Sequence, residues 1–129
     1  MMYKKVLLID DDEDEQFFFT EALKEIGAPV KLFFAPTANE GIKLLKFLLP
    51  DIVFMDINMP ALSGFDCLDI IRCDTRISRI PVIIYSTGIN EVVFRDALKK
   101  GAFACMKKQD TIKDLASALR EIFGVGVVN

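Results

Sequence analysis

The sequence predicts an α/β domain in which a five-stranded parallel sheet is covered by helices on both faces. Three observations carry this. Five short apolar runs alternate with five stretches of helical character, and no repeat or linker interrupts them. The central run, Ile52 to Met55, is apolar at every position, which suits a strand buried on both faces rather than one with a wet side. Strand and helix alternation of this kind is joined by right-handed crossovers, which bring successive strands parallel.

The first strand is Lys5 to Ile9, and six acids follow it, Asp10 to Glu15. The later acids suit the first turn of a helix, where carboxylates meet unpaired N–H groups and the positive end of the dipole. That helix runs through Phe18, Ala22, Leu23 and Ile26 and stops at Gly27, with Pro29 behind it. Val30 to Ala35 is the second strand. Thr37 with Glu40 three residues on is a capping box for a helix through Ile42, Leu45 and Leu49, closed by Pro50. The central strand then runs into Asp56, and Asn58 and Pro60 mark a turn after it.

Gly64 to Cys73 forms the third helix, with Phe65, Leu68 and Ile71 spaced for one face. Pro81 to Tyr85 is the fourth strand, leading into Ser86, Thr87 and Gly88. Asn90 caps a helix through Val93, Ala97 and Leu98 that Gly101 ends. Ala102 to Met106 is a short fifth strand that meets Lys107 and Lys108. Thr111 with Asp114 opens the last helix, through Leu115, Ala118, Leu119 and Ile122 to Gly124. This is the pattern of a flavodoxin-like doubly wound domain with strand order 2-1-3-4-5.

A chain of 129 residues with 52% hydrophobic residues fits one domain that buries a core without disulfide or metal staples. The tail from Val125 to Asn129 is too short for a second domain, and the expectation is a single stand-alone unit over 1–129. No apolar run is long enough to cross a bilayer. The basic start, Met1 to Lys5, is followed by apolar residues and then by the acids from Asp10, which does not fit a signal peptide. A formal charge of −3 without a basic tract argues against nucleic acid as a direct partner. Cys67, Cys73 and Cys105 show no Cys-x-x-Cys spacing, in keeping with a reduced cytoplasmic protein. Histidine is absent, which removes Ser-His-Asp and Cys-His catalysis and imidazole metal sites.

The predicted topology puts the ends of four strands on one rim. The first delivers Asp10 and Asp11, the third Asp56, the fourth Ser86 and Thr87, and the fifth Lys107 and Lys108. Each piece alone has an ordinary explanation: a solvated helix start, a turn, surface charge. Their meeting at one sheet edge is what points to a site. Three carboxylates in one place repel one another unless a cation lies among them, and Mg²⁺ suits an all-oxygen set. A hydroxyl and an ammonium beside it complete a pocket for a small anion such as a phosphoryl group.

The residues Val-Leu-Leu-Ile-Asp10-Asp11-Asp12, Phe-Met-Asp56-Ile-Asn58-Met-Pro60 with Gly64, Pro-Val-Ile-Ile-Tyr-Ser86, and Gly101-Ala102 followed by a lysine form a specific combination. Over about Lys4 to Phe123 the chain resembles the receiver domains of two-component response regulators, whose fold is that of the chemotaxis response regulator. The resemblance implies that Asp56 accepts a phosphoryl group from a phosphohistidine on a histidine kinase or histidine phosphotransfer protein. It implies that Asp11, Asp56 and the main-chain carbonyl of Asn58 hold Mg²⁺, with Asp10 acting mostly through water. Lys108, favoured over Lys107 by the count from Gly101, pairs with Asp56 and then with the phosphoryl oxygens, and Ser86 swings to donate to them. The face of the fourth helix, fifth strand and fifth helix then signals to a downstream protein target. Three positions depart from the family pattern: Gln109 stands where a cis proline is usual, Cys105 where many members carry an aromatic switch residue, and Thr87 where a smaller residue is common. Gln109 and Cys105 motivate an alternative, a binding module of the same fold that acts without phosphorylation. A third reading, a haloacid-dehalogenase-type phosphohydrolase, takes Asp10-Asp11-Asp12 as its Asp-x-Asp and leaves the Asp56 segment unexplained.

Overall fold

A computed structural model describes residues 4–124. The expected tail at 125–129 and the first three residues lie outside the described residues. The order is β1 (Lys5–Ile9), α1 (Glu13–Ile26), β2 (Lys31–Ala35), α2 (Ala38–Leu48), β3 (Ile52–Met55), α3 (Gly64–Cys73), β4 (Val82–Ser86), α4 (Glu91–Lys99), β5 (Ala104–Lys107) and α5 (Ile112–Phe123). All five strands are parallel, in the order β2-β1-β3-β4-β5. The predicted flavodoxin-like arrangement is the observed one.

The pleat sorts the central strands into two cores. Leu7, Ile9, Val53 and Met55 face one side, with Ala38 and Leu45 of α2, Leu68 and Ile71 of α3 and Ala97 of α4. Val6, Leu8, Ile52 and Phe54 face the other, with Phe19, Ala22 and Leu23 of α1 and Leu115 and Leu119 of α5. Every residue of β3 is buried, which is why that strand reads as an unbroken apolar run. On the second side Phe19 packs edge-on against both Phe54 and Tyr85, with centroids 5.1 and 5.2 Å apart.

Helix ends follow the capping residues. Asp12, Thr37, Ser63, Asn90 and Thr111 each accept a backbone N–H of the first turn of α1 to α5 in sequence. Four expectations shift. In α1 the fully buried phenylalanine is Phe19, and Phe18 is only half-buried. Leu49 does not continue α2 but caps it in the left-handed region at φ 49°. β4 ends one residue later than expected, so Ser86 is a strand residue with its backbone fixed by pairing to Lys107. β5 starts at Ala104, because the Ala102 N–H bonds back to Ala97 and serves the end of α4. Among the described residues no helix is long and apolar enough to cross a membrane.

Candidate functional site

β1 ends at Ile9 and β3 at Met55, paired in register, so Asp10 and Asp56 emerge side by side at the carboxyl rim. The Asp56 N–H donates to the Ile9 carbonyl at 3.0 Å, and the Asp10 N–H to that of Ala35 at 3.0 Å, which pins both backbones. Each carboxylate then folds over its own turn. Asp10 Oδ1 accepts the Asp12 N–H at 2.9 Å, and Asp56 Oδ1 accepts the Asn58 N–H at 3.2 Å. Asp10 is fully buried and Asp56 is 5% exposed, whereas Asp11 and Asn58 are open to solvent.

Close packing on the far side of the loop keeps this turn tight. A Cβ on Gly64, the first residue of α3, would overlap the Asp56 carbonyl oxygen and lie 2.7 Å from Ile57 Cα. The Gly64 N–H donates to the Ile57 carbonyl at 2.8 Å, so α3 starts directly against the backbone that carries Asp56.

β4 and β5 supply the other groups. Ser86 Oγ, fully buried, donates to Asp56 Oδ1 at 2.6 Å. Lys108 Nζ lies 3.2 Å from Asp56 Oδ2 and 2.8 Å from Asp10 Oδ2. Both contacts are ion pairs. Lys107, paired with Ser86 along the sheet, is exposed. The two lysines therefore separate, and Lys108 is the one in the acidic pocket.

Burial raises the Asp10 pKa, partly offset by the Lys108 ammonium. For Lys108, burial acts against the charge, but the Asp10 and Asp56 carboxylates outweigh it and raise its pKa. The donor set fits a hard divalent cation. Oxygens of Asp10, Asp11 and Asp56 lie within 4.8 Å of one another, and two of these carboxylates, Asp10 and Asp56, are buried. Asp12 is not part of this group. Its carboxylate caps α1 by accepting from the Asp14 N–H at 3.0 Å, so the Asp10-x-Asp12 pair of a phosphohydrolase does not assemble.

The expected residues Asp10, Asp11, Asp56, Ser86 and Lys108 come together. Two further groups lie next to them. Glu15 is 5% exposed, with Oε2 unpartnered, and burial raises its pKa. Its sequence signal was the spacing 15, 19, 22, 26, which puts it on the buried stripe of α1. Tyr85 is fully buried, and its hydroxyl accepts the Gln109 N–H at 3.3 Å. Thr87, by contrast, is exposed.

The model of the response regulator receiver domain matches residues 6–120. The nitrate/nitrite response regulator protein NarL of Escherichia coli K12 is 36% identical over 87 residues, 67% of this chain and 39% of that protein. Protein PilH of Pseudomonas aeruginosa is 40% identical over 57 residues, 44% of this chain and 47% of that one. The matched regions cover less than half the length of these two relatives. Among solved structures, the chemotaxis response regulator CheY4 of Vibrio cholerae superposes with a TM-score of 0.81 at 20% identity, over 95% of this chain and 99% of that one, and shares the fold. A response regulator receiver domain protein from Clostridium thermocellum superposes with a TM-score of 0.75 at 28% identity, over 94% of each chain. The sheet order, the acidic rim with its lysine, and the match over residues 6–120 together make this chain a member of the response regulator receiver domain family, the signalling module of two-component systems.

Proposed function

We propose that this chain is a phosphoryl-accepting switch, and that Asp56 takes the group from a phosphohistidine on a histidine kinase or histidine phosphotransfer protein. The supporting observation is the set of partners on Asp56: Ser86 at 2.6 Å on one oxygen and Lys108 at 3.2 Å on the other. An Asp56 oxygen attacks phosphorus, the P–N bond breaks, and the leaving imidazole keeps the electron pair and takes a proton. Asp10, Asp11, Asp56 and the Asn58 carbonyl are the groups that would hold Mg²⁺, which when bound neutralises charge on the transferring oxygens.

Phosphorylation adds about −1.5 to −2 charge units. Lys108 answers this charge by moving its ammonium from the carboxylates to the phosphoryl oxygens. Ser86 needs only a hydroxyl rotation to re-aim, because its Oγ already faces Asp56. Any displacement of β4's end reaches the adjacent face, where Val92, Phe94 and Leu98 of α4 and Phe103 before β5 are exposed apolar residues. We take residues 4–123 as one receiver core that acts by protein contact, in the cytoplasm. Three free cysteines are in keeping with that compartment.

Incubation with Mg²⁺ and acetyl phosphate, followed by intact mass, tests the reading. One added phosphoryl group is expected in the wild type and none in Asp56→Asn. Equal labelling of the two, or none in either, would leave a binding module that acts without phosphorylation.

A further inference from the structure

The site's lysine sits on a loop without the rigidity of a proline. Lys108 is followed by Gln109, whose backbone carries an N–H and whose φ is free to rotate. Yet the ammonium must stay 2.8 and 3.2 Å from two carboxylates. Three hydrogen bonds hold this backbone. The Lys108 N–H donates to the Ser86 carbonyl at 3.0 Å, and Gln109 Nε2 donates to the Lys107 carbonyl at 2.8 Å. The third runs from the Gln109 N–H to Tyr85 Oη at 3.3 Å.

Tyr85 is the residue before Ser86, so one strand end both presents the serine and fixes the lysine's loop. The ring does not move easily. It is fully buried, packed edge-on against Phe19, and the Lys108 ammonium lies 6.0 Å from its centroid. A phenol that accepts through its oxygen still has its own proton to give.

We propose that Tyr85 is a positioning residue for phosphoryl transfer: its buried hydroxyl holds the Gln109 N–H and thereby aims Lys108 at Asp56. The device ties together two of the segments that supply the site: β4 at Ser86 and the loop after β5 at Lys108. It does with a hydrogen bond what a ring-constrained residue at 109 would do covalently. This rests on the reading of Asp56 as phosphoacceptor.

The test is a double-mutant cycle on the rate of phosphoryl incorporation from acetyl phosphate with Mg²⁺. Tyr85→Phe removes the acceptor and keeps the ring, and is expected to slow incorporation about fivefold, the loss of one ordinary hydrogen bond. In the Gln109→Pro background there is no N–H to hold, and Tyr85→Phe is expected to change the rate no further. The Gln109 amide proton should also shift upfield in Tyr85→Phe, and neither change should follow from a general loss of packing. Equal slowing in both backgrounds, or an unchanged rate and amide shift, would overturn the role. If Tyr85→Phe does not fold, Gln109→Pro alone carries the test: a labelling rate equal to wild type is expected, since the ring replaces the held N–H, and a loss of about fivefold or more would overturn the role. Wild type that labels while Asp56→Asn does not, with Tyr85→Phe equal to wild type, sinks this inference alone. Wild type that takes no label sinks the phosphoacceptor reading and this role with it.

Discussion

Replacing Lys108 with alanine should destabilise the protein in a way that depends on pH. Its ammonium stands 2.8 Å from Asp10, which is fully buried, and 3.2 Å from Asp56, which is 5% exposed. Removing one partner of a buried ion pair typically costs about 3–5 kcal/mol, because the remaining charge is left without compensation. A carboxylate has an escape, since it can take a proton. That escape costs about 1.4 kcal/mol per pH unit above its unfolded pKa, or about 4 kcal/mol near pH 7 and about 1.5 kcal/mol near pH 5. The loss on Lys108→Ala is therefore expected at about 3–4 kcal/mol near pH 7 and at or below about 1.5 kcal/mol near pH 5. The sign follows from the raised Asp10 pKa. Without the lysine it rises further, so the folded mutant binds more protons than the unfolded chain and gains stability as pH falls. Urea unfolding in the absence of divalent cations measures this, followed by far-UV circular dichroism because the chain has no tryptophan. A difference from wild type that is the same at both pH values, or larger at the lower one, would refute the reasoning.

Gly64→Ala pushes a methyl into the Asp56 and Ile57 backbone, so it should cost about 1–3 kcal/mol and also slow phosphoryl incorporation; a melt and a labelling rate matching wild type would show that α3 can withdraw freely. Arg72 donates to the carbonyls of Gly101, Ser78 and Ile80 at 2.9, 3.0 and 2.9 Å, joining α3 to the turns that flank β4 and β5. Arg72→Met keeps the stem and drops these bonds, with an expected loss of about 1–3 kcal/mol by chemical denaturation. Glu15→Gln should stabilise the protein near pH 7, because burial disfavours the glutamate's charge and raises its pKa; the advantage should shrink as pH falls and vanish below the ordinary value of 4.5, as melts across that range would report. Cys67 is buried with its thiol pushed up to about 12, while Cys73 is exposed, so iodoacetamide should mark Cys73 in the folded protein and leave Cys67 unmodified by peptide mass.

The sequence alone determined the alternation of elements, the sheet order and the rim on which the acids meet. These follow from local signals that tertiary packing reinforces. Ile52 to Met55 reads as a doubly buried strand because it is one, and the five caps read as helix starts because each bonds the N–H groups of its own first turn. Boundaries were less legible where long-range bonds set them: Ala102 looks like the start of a strand by composition, but its N–H belongs to the end of α4.

Only the tertiary structure decided which groups touch. Lys107 and Lys108 are chemically identical neighbours, and the strand pleat sends one to solvent and the other between Asp10 and Asp56. Glu15 sits in a run of six acids that all look solvated, yet its position on the stripe with Phe19 and Ala22 buries it beside Tyr85. Gln109 looks like a missing proline in the sequence; in the fold its N–H has an acceptor, supplied 24 residues earlier by a tyrosine hydroxyl. Such pairings depend on side chains far apart in the chain being brought within 3.5 Å. Periodicity and capping report a residue's local surroundings and its face, but carry no record of what waits on the other side.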